Sequence, residues 1–388
     1  MTQDLLSNGE RRGGGSTQAH RWYAALTGAV ALATVLAALA RSGDHAGPPP
    51  PTRSAAPARS AGSADLDRPT NSRLLVAGDR LVRLDVDGTS ARQLPVPGLV
   101  ADHYVSSLTS RRGATVVLVS GRGERARRPG TAWAVPDGGG TPVILGWADQ
   151  VVAALAPDRV WLLTTDAAAN GGRSLLRELD VRGRLVTPPY AVGLAGRLVA
   201  DASAGFLVER RMSRASTLDV VDRRSGRLRE RVARRAMALA AGPHQVAWVD
   251  PACHLRCTVQ VEDLRTGFRV VVSILDVGRY GGAMSAPDDR RLAFTAVAVI
   301  TPGGPAVPVL LVAGVDDPGI SVVTLPSAVT AGSAGAALPR TLTWSANGQW
   351  VFLATSTVPQ RLLAWRLDSA AAATVRFPIA GVEVVAPT

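Results

Sequence analysis

The chain has 388 residues, 46% of them hydrophobic but only 4% aromatic, with 39 glycines and 26 prolines. A chain this long and this apolar buries a substantial core, which excludes wholesale disorder, and its glycine and proline content suits turn-rich all-β structure. The formal charge of +12 is carried by 43 arginines with no lysine, a bias of GC-rich coding that by itself assigns no function.

A short tail, residues 1–21, leads into residues 22–40, WYAALTGAVALATVLAALA, an uncharged run of 19 between Arg21 and Arg41. A hydrocarbon layer about 30 Å thick is crossed by about 20 apolar helical residues, so the run reads as a membrane span or a signal sequence. Ala38-Leu39-Ala40 resembles a cleavage site, whereas the preceding tail favours an uncleaved anchor. Arg11 and Arg12 before the run are balanced by Arg53 and Arg59 after it, so flanking charge gives little orientation. Size decides instead: a short tail before a large domain is the arrangement of a signal-anchor, with a cytoplasmic tail, one transmembrane helix and a C-terminal domain outside the cytoplasm. No cysteine stands near the span to carry a lipid.

Residues 41–70 are rich in Pro, Ala, Ser and Gly and build no core. They are expected to form a disordered tether.

The folded domain is placed at 71–388. Its organising pattern is clearest at 259–272, VQVEDLRTGFRVVV, where alternating strands flank the turn Arg265-Thr266-Gly267. Similar strand-and-turn units end at Gly88, Gly138, Gly183, Gly226 and Gly267, with WRLDS ending at Ser369. The early gaps are about 41–50 residues and the last about twice that, the period of a four-stranded propeller blade with one irregular turn. Seven units follow, near 72–98, 99–146, 147–192, 193–236, 237–279, 280–331 and 332–379, with six or eight left open by the long sixth unit. The first unit lacks an innermost strand, and a solitary strand at 382–386 remains at the other end. That strand is expected to complete the first blade, since a closed ring leaves no exposed edge there.

Ser285-Ala286-Pro287-Asp288-Asp289-Arg290-Arg291-Leu292-Ala293-Phe294 and Trp344-Ser345-Ala346-Asn347-Gly348-Gln349-Trp350-Val351-Phe352 resemble the S-P-D-G-x-x-[LIV]-[AV]-[FW] repeat of TolB-like and WD40-like propellers. Both copies depart from it: Asp289 replaces the turn glycine in one, and Ala346-Asn347 replaces Pro-Asp in the other. The resemblance, to membrane-anchored propellers common in GC-rich actinobacterial genomes, implies a seven-bladed all-β propeller acting as a scaffold or binding surface. It implies a polar turn between the innermost and second strands, and it carries over no catalytic residue.

Cys253 and Cys257 are the only cysteines. In an exported domain a pair so close reads as a disulfide pinning a hairpin loop, with free thiols or a metal as the alternative; a metal site would need two more ligands, and only His254 is adjacent. Gly121-Arg122-Gly123 is not a dinucleotide site, because Arg128-Pro129-Gly130 breaks the helix such a site opens. Asp85-Val86-Asp87-Gly88 is read as a hairpin turn, since it lacks the later acid of a calcium loop. No nucleophile elbow is present, and nothing pairs His103, His244 or His254 with a nucleophile. No catalytic, metal or cofactor site is therefore expected.

Ten arginines lie between Arg210 and Arg235 against Asp219, Asp222 and Glu230. A solvated face is one account of them. The other is a docking surface, formed by Arg223, Arg224, Arg227 and Arg229, for an anionic partner such as cell-wall polymer or lipid headgroups. Nucleic acid does not fit, since no aromatics interleave with the arginines. The sequence thus reads as a membrane-tethered extracytoplasmic propeller that binds or scaffolds an envelope component without catalysis. The alternative is a propeller hydrolase or lyase acting on glycans or lactones at the channel mouth.

Overall fold

Second strands in the domain are apolar at nearly every position: ATVVLVSG at Ala114–Gly121, QVAWV at Gln245–Val249, WVFLA at Trp350–Ala354. Strands of this kind need cover on both faces, and these three are buried almost throughout. The computed structural model describes residues 59–60, 69–87, 90–123, 129–165, 174–194, 196–211, 216–251, 258–273, 277–286, 290–299, 304–314, 320–325, 341–355, 361–369, 372–375, 382 and 384–387. There it meets the need with seven sheets, each built on four antiparallel strands, arranged as a seven-bladed propeller.

Blade one joins Val384–Pro387 to Arg73–Ala77, Leu81–Asp85 and Ala91–Leu94. Blade two runs through His103–Arg111, Ala114–Gly121, Gly130–Pro136 and Val143–Ala148; blade three through Gln150–Ala153, Arg159–Thr165, Ser174–Asp180 and Tyr190–Val192. Blade four holds Arg197–Ala202, Gly205–Arg211, Ser216–Val221 and Leu228–Arg234; blade five Met237–Ala241, Gln245–Val249, Thr258–Asp263 and Arg269–Ser273. Blade six is Val277–Ser285, Arg291–Val299, Ala306–Gly314 and Ile320–Thr324, and blade seven Thr341–Trp344, Trp350–Ala354, Leu362–Arg366 and Ala372–Val375. The first-named strand of each blade touches the first strand of the next, all the way round, so these strands are innermost.

Because successive side chains on a strand point to opposite faces, each second strand serves two interfaces. Leu74 and Val76 pack with Phe352 and Leu362 of blade seven, whereas Leu75 and Ala77 pack with Val105 and Val117 of blade two. Each of the seven clusters of buried apolar side chains joins two neighbouring blades. The core is therefore a ring of interfaces.

The ring closes as the sequence led us to expect. Val384–Pro387 pairs antiparallel with Arg73–Ala77, with Leu75 opposite Ala386 and Ala77 opposite Val384. The unit boundaries hold to within a few residues, and the last outer strand is Ala372–Val375. Two residues of the expected tether, Arg59–Ser60, lie parallel to the outer edge of blade six, opposite Val323 and Thr324. Among the described residues no helix is long and apolar enough to cross a membrane; the run 22–40 lies outside them, as do Cys253 and Cys257.

Two recurring turns explain the sequence period. Between the third and fourth strands an aspartate caps the turn and a glycine closes it: Asp222 accepts from the Arg224 and Ser225 amides at 3.1 and 2.9 Å, and Asp263 from those of Arg265 and Thr266 at 2.7 and 3.1 Å. Gly226 has φ of 66° and a Cβ there would run into the Val192 side chain, so this turn requires glycine. Between the first and second strands of blade seven, the Ser345 hydroxyl oxygen accepts from the Gln349 and Trp350 amides at 3.1 and 2.9 Å. This is the polar turn implied by the propeller-repeat resemblance, in the place it implied.

Antiparallel strands reverse at every turn, so the first-to-second and third-to-fourth turns leave each blade at the same end. The chain also enters blade one at that end, where the Asp87 carboxylate accepts from the Thr70 and Asn71 amides at 2.7 and 2.6 Å. That end is called the turn face below. With interfaces carrying the stability, Phe352→Ala, fully buried between blades seven and one, should cost about 3–5 kcal/mol in denaturant unfolding. Phe268→Ala, 59% exposed, should change stability by less than about 0.5 kcal/mol.

Candidate functional site

The arginine-rich stretch of blade four separates into two groups, and buried carboxylates decide which arginine belongs to which. A buried carboxylate is costly unless paired and hydrogen-bonded. Asp219, with no exposed surface, is held by Arg231 at 3.0 Å and Arg210 at 3.4 Å. Glu209 is held by Arg197 at 2.7 Å, and the same carboxylate accepts the Ala238 amide of blade five.

Asp201, on the innermost strand of blade four, is a third such acid. It accepts from the Leu155 amide at 3.1 Å, the Trp161 indole at 2.9 Å and the Arg223 guanidinium at 2.7 Å. Arg223 also donates to the Ala202 carbonyl and lies over the Phe206 ring. It braces Asp201, the residue that ties blade four to blade three.

The other three expected surface arginines are exposed. Arg229 pairs with Asp222 at 2.5 Å and donates to the Ala204 carbonyl. Hydrogen bonds from the Ser225 amide and hydroxyl, and from Arg229, hold the Asp222 carboxyl well below the usual carboxylate range, so it stays ionised in its turn at all ordinary pH. Arg224 and Arg227 sit in that same turn with no acidic partner among the described residues. The structure therefore brings Arg224, Arg227 and Arg229 together on the turn face and withdraws Arg223 into the blade interface.

Among the described residues the channel side offers little acid–base chemistry. The innermost strands read VVAP, HYVSSLTSR, QVVA, RLVADA, MALAA, VGRYGGAMS and TLTW, with Asp201 their one carboxylate. Among the described residues, no three His, Cys, Asp or Glu side chains gather where a metal ion would fit. His244 contacts the Ser203 hydroxyl through Nδ1 at 3.1 Å, and His254 lies outside the described residues.

Two surface clefts lie among the described residues. One of about 510 Å³, at the end opposite the turn face, is lined by Pro97, Val100, His103, Val119, Pro129 and Trp133 among others, and among the described residues no carboxylate lines it. His103 Nδ1 is buried there without a hydrogen-bond partner. The other, about 670 Å³, lies on the turn face between blades seven and one and includes Asp85, Asp87 and Asn347.

No protein-family model and no curated protein sequence matches the chain. Solved structures do. An acylaminoacyl peptidase from Pyrococcus horikoshii matches with a TM-score of 0.50 at 10% identity, over 77% of this chain and 48% of that one. The chain thus spans about half of that peptidase, and the likeness shows the propeller fold alone. A putative 6-phosphogluconolactonase from Bacteroides fragilis matches at 0.49 and 10% identity, over 84% of this chain and 100% of that one. TolB from Acinetobacter baumannii matches at 0.46 and 10% identity, over 82% and 67% respectively.

The division among the arginines has a measurable consequence. Arg223→Ala leaves Asp201 without its charged partner and should lower stability by about 2–4 kcal/mol in urea unfolding. Arg224→Ala and Arg227→Ala should each stay within about 0.5 kcal/mol of the parent.

Proposed function

We propose that the protein is a membrane-tethered, extracytoplasmic propeller that binds or scaffolds a component of the cell envelope and performs no catalysis. Residues 22–40 act as a single uncleaved span, 41–70 as a tether, and the propeller presents the turn face of blade four to an anionic partner. Arg224 and Arg227, with Arg229 beside them, are the contact residues, and Arg223 supports them from within. The Cys253–Cys257 pair is a disulfide of the exported domain.

The observation that carries the binding reading is the state of Asp201. It is the one carboxylate on the innermost strands, and the Leu155 amide, the Trp161 indole and Arg223 already occupy it. General acid–base catalysis at a channel mouth needs a titratable group free to exchange a proton with substrate. The rival reading, a propeller hydrolase or lyase, has His103 in its favour, because its Nδ1 lacks a partner beside a cleft. Among the described residues that cleft supplies no carboxylate to orient the imidazole.

Fractionation with a C-terminal epitope tag tests the tether and the topology together. The full chain should stay in carbonate-washed membranes, and protease added to intact spheroplasts should remove the tag. Recovery in the soluble fraction, or a protected tag, would sink the reading.

A further inference from the structure

Six turns of blades three, four and five are tied into one surface. The Val181 amide donates to the Asp158 carbonyl at 3.0 Å, joining the two turns of blade three. Asp201 joins the first of these, through the Leu155 amide, to the Arg223 turn of blade four. Arg229 reaches the Ala204 carbonyl in the other turn of blade four, and the Ser203 amide donates to the Pro243 carbonyl of blade five at 2.8 Å. The Leu264 amide donates to the His244 carbonyl at 2.6 Å and brings in the last turn.

Four apolar side chains stand out of this surface: Leu155 is 43% exposed, Leu185 48%, Leu228 48% and Phe268 59%. Single exposed leucines are ordinary. Here, however, exposed arginines accompany three of the four: Arg184 precedes Leu185, Arg227 precedes Leu228, and Arg265 opens the turn that ends at Phe268. A water-soluble polyanion would engage the arginines and leave the apolar tips in water. An anionic bilayer satisfies both, with guanidinium groups among the phosphates and apolar tips at the acyl boundary. Thr70 and Asn71 enter blade one on this same face, held by Asp87.

We propose that the turn face of blades three to five docks on an anionic lipid bilayer, with Leu155, Leu185, Leu228 and Phe268 at the acyl boundary and Arg224 and Arg227 on the headgroups. The proposal rests on the tether and on the arginine surface described under Proposed function. It adds the identity of the partner and a fixed face-down orientation.

Hydrogen exchange on the full chain in lipid nanodiscs tests it. Amides of turns 222–228 and 264–268 should exchange about tenfold more slowly in discs containing phosphatidylglycerol than in discs of phosphatidylcholine alone. The variant carrying Leu228→Asp and Phe268→Asp, both at exposed positions, should lose that protection while the blade cores exchange unchanged. Equal exchange in the two discs, or protection that survives the double variant, would overturn the docking. Protection of the same turns by soluble polyphosphate but not by anionic discs would overturn the bilayer assignment and leave the anionic-partner reading standing. A chain recovered outside the discs would remove the tether and the docking with it.

Discussion

Everything in this molecule depends on one antiparallel pairing, that of Val384–Pro387 with Arg73–Ala77. A strand buried on both faces is stable only if a neighbour stands on each side, and an open array of such strands would leave one apolar face bare at each end. The pairing turns a row into a ring. Leu74 and Val76 then face Phe352 and Leu362 across the seam, and the seam becomes an interface like the other six. With few aromatics in the chain, Phe206, Phe294, Trp344 and Phe352 are the largest fully buried side chains among the described residues. Valine, leucine and alanine fill most of the remaining space, small enough to let successive sheets approach closely.

The fold was legible in the sequence because the blade turn has a chemical signature. An aspartate whose carboxylate caps the turn, followed by a glycine at positive φ, recurs at Asp180 with Gly183, Asp222 with Gly226, and Asp263 with Gly267. The irregular sixth unit was anticipated from the doubled gap after Gly267, and four strands occupy it. The composite first blade was legible for another reason: a lone strand at one end of the chain and a missing strand at the other have only each other to pair with.

The site was less legible. Ten arginines in one stretch look alike in a sequence, and what separates them is the position of acids on other strands. Arg223 is committed to Asp201, 22 residues away and across the sheet, and no local pattern announces that pairing. Asp222, by contrast, lies within the same turn as the arginines it organises. The apolar tips were invisible for a similar reason. Leu155, Leu185 and Phe268 belong to three different turns, and only the ring geometry places them on one face. The chemistry of the molecule is thus sorted by depth. Carboxylates inside fix arginines as braces between strands and blades, and the arginines left over, in the exposed turns, are available to a partner.

A designed cross-link tests the closed ring most directly. Opposed residues on antiparallel strands have Cβ atoms about 4.5–5.5 Å apart, a spacing that modest backbone adjustment brings within disulfide reach. With Cys253 and Cys257 changed to Ser, the chain carrying Ala77→Cys and Val384→Cys should form an intramolecular disulfide on mild oxidation, read by mass spectrometry of the linked peptides. Two thiols that stay free, or that link only between molecules, would contradict the closure on which the account stands.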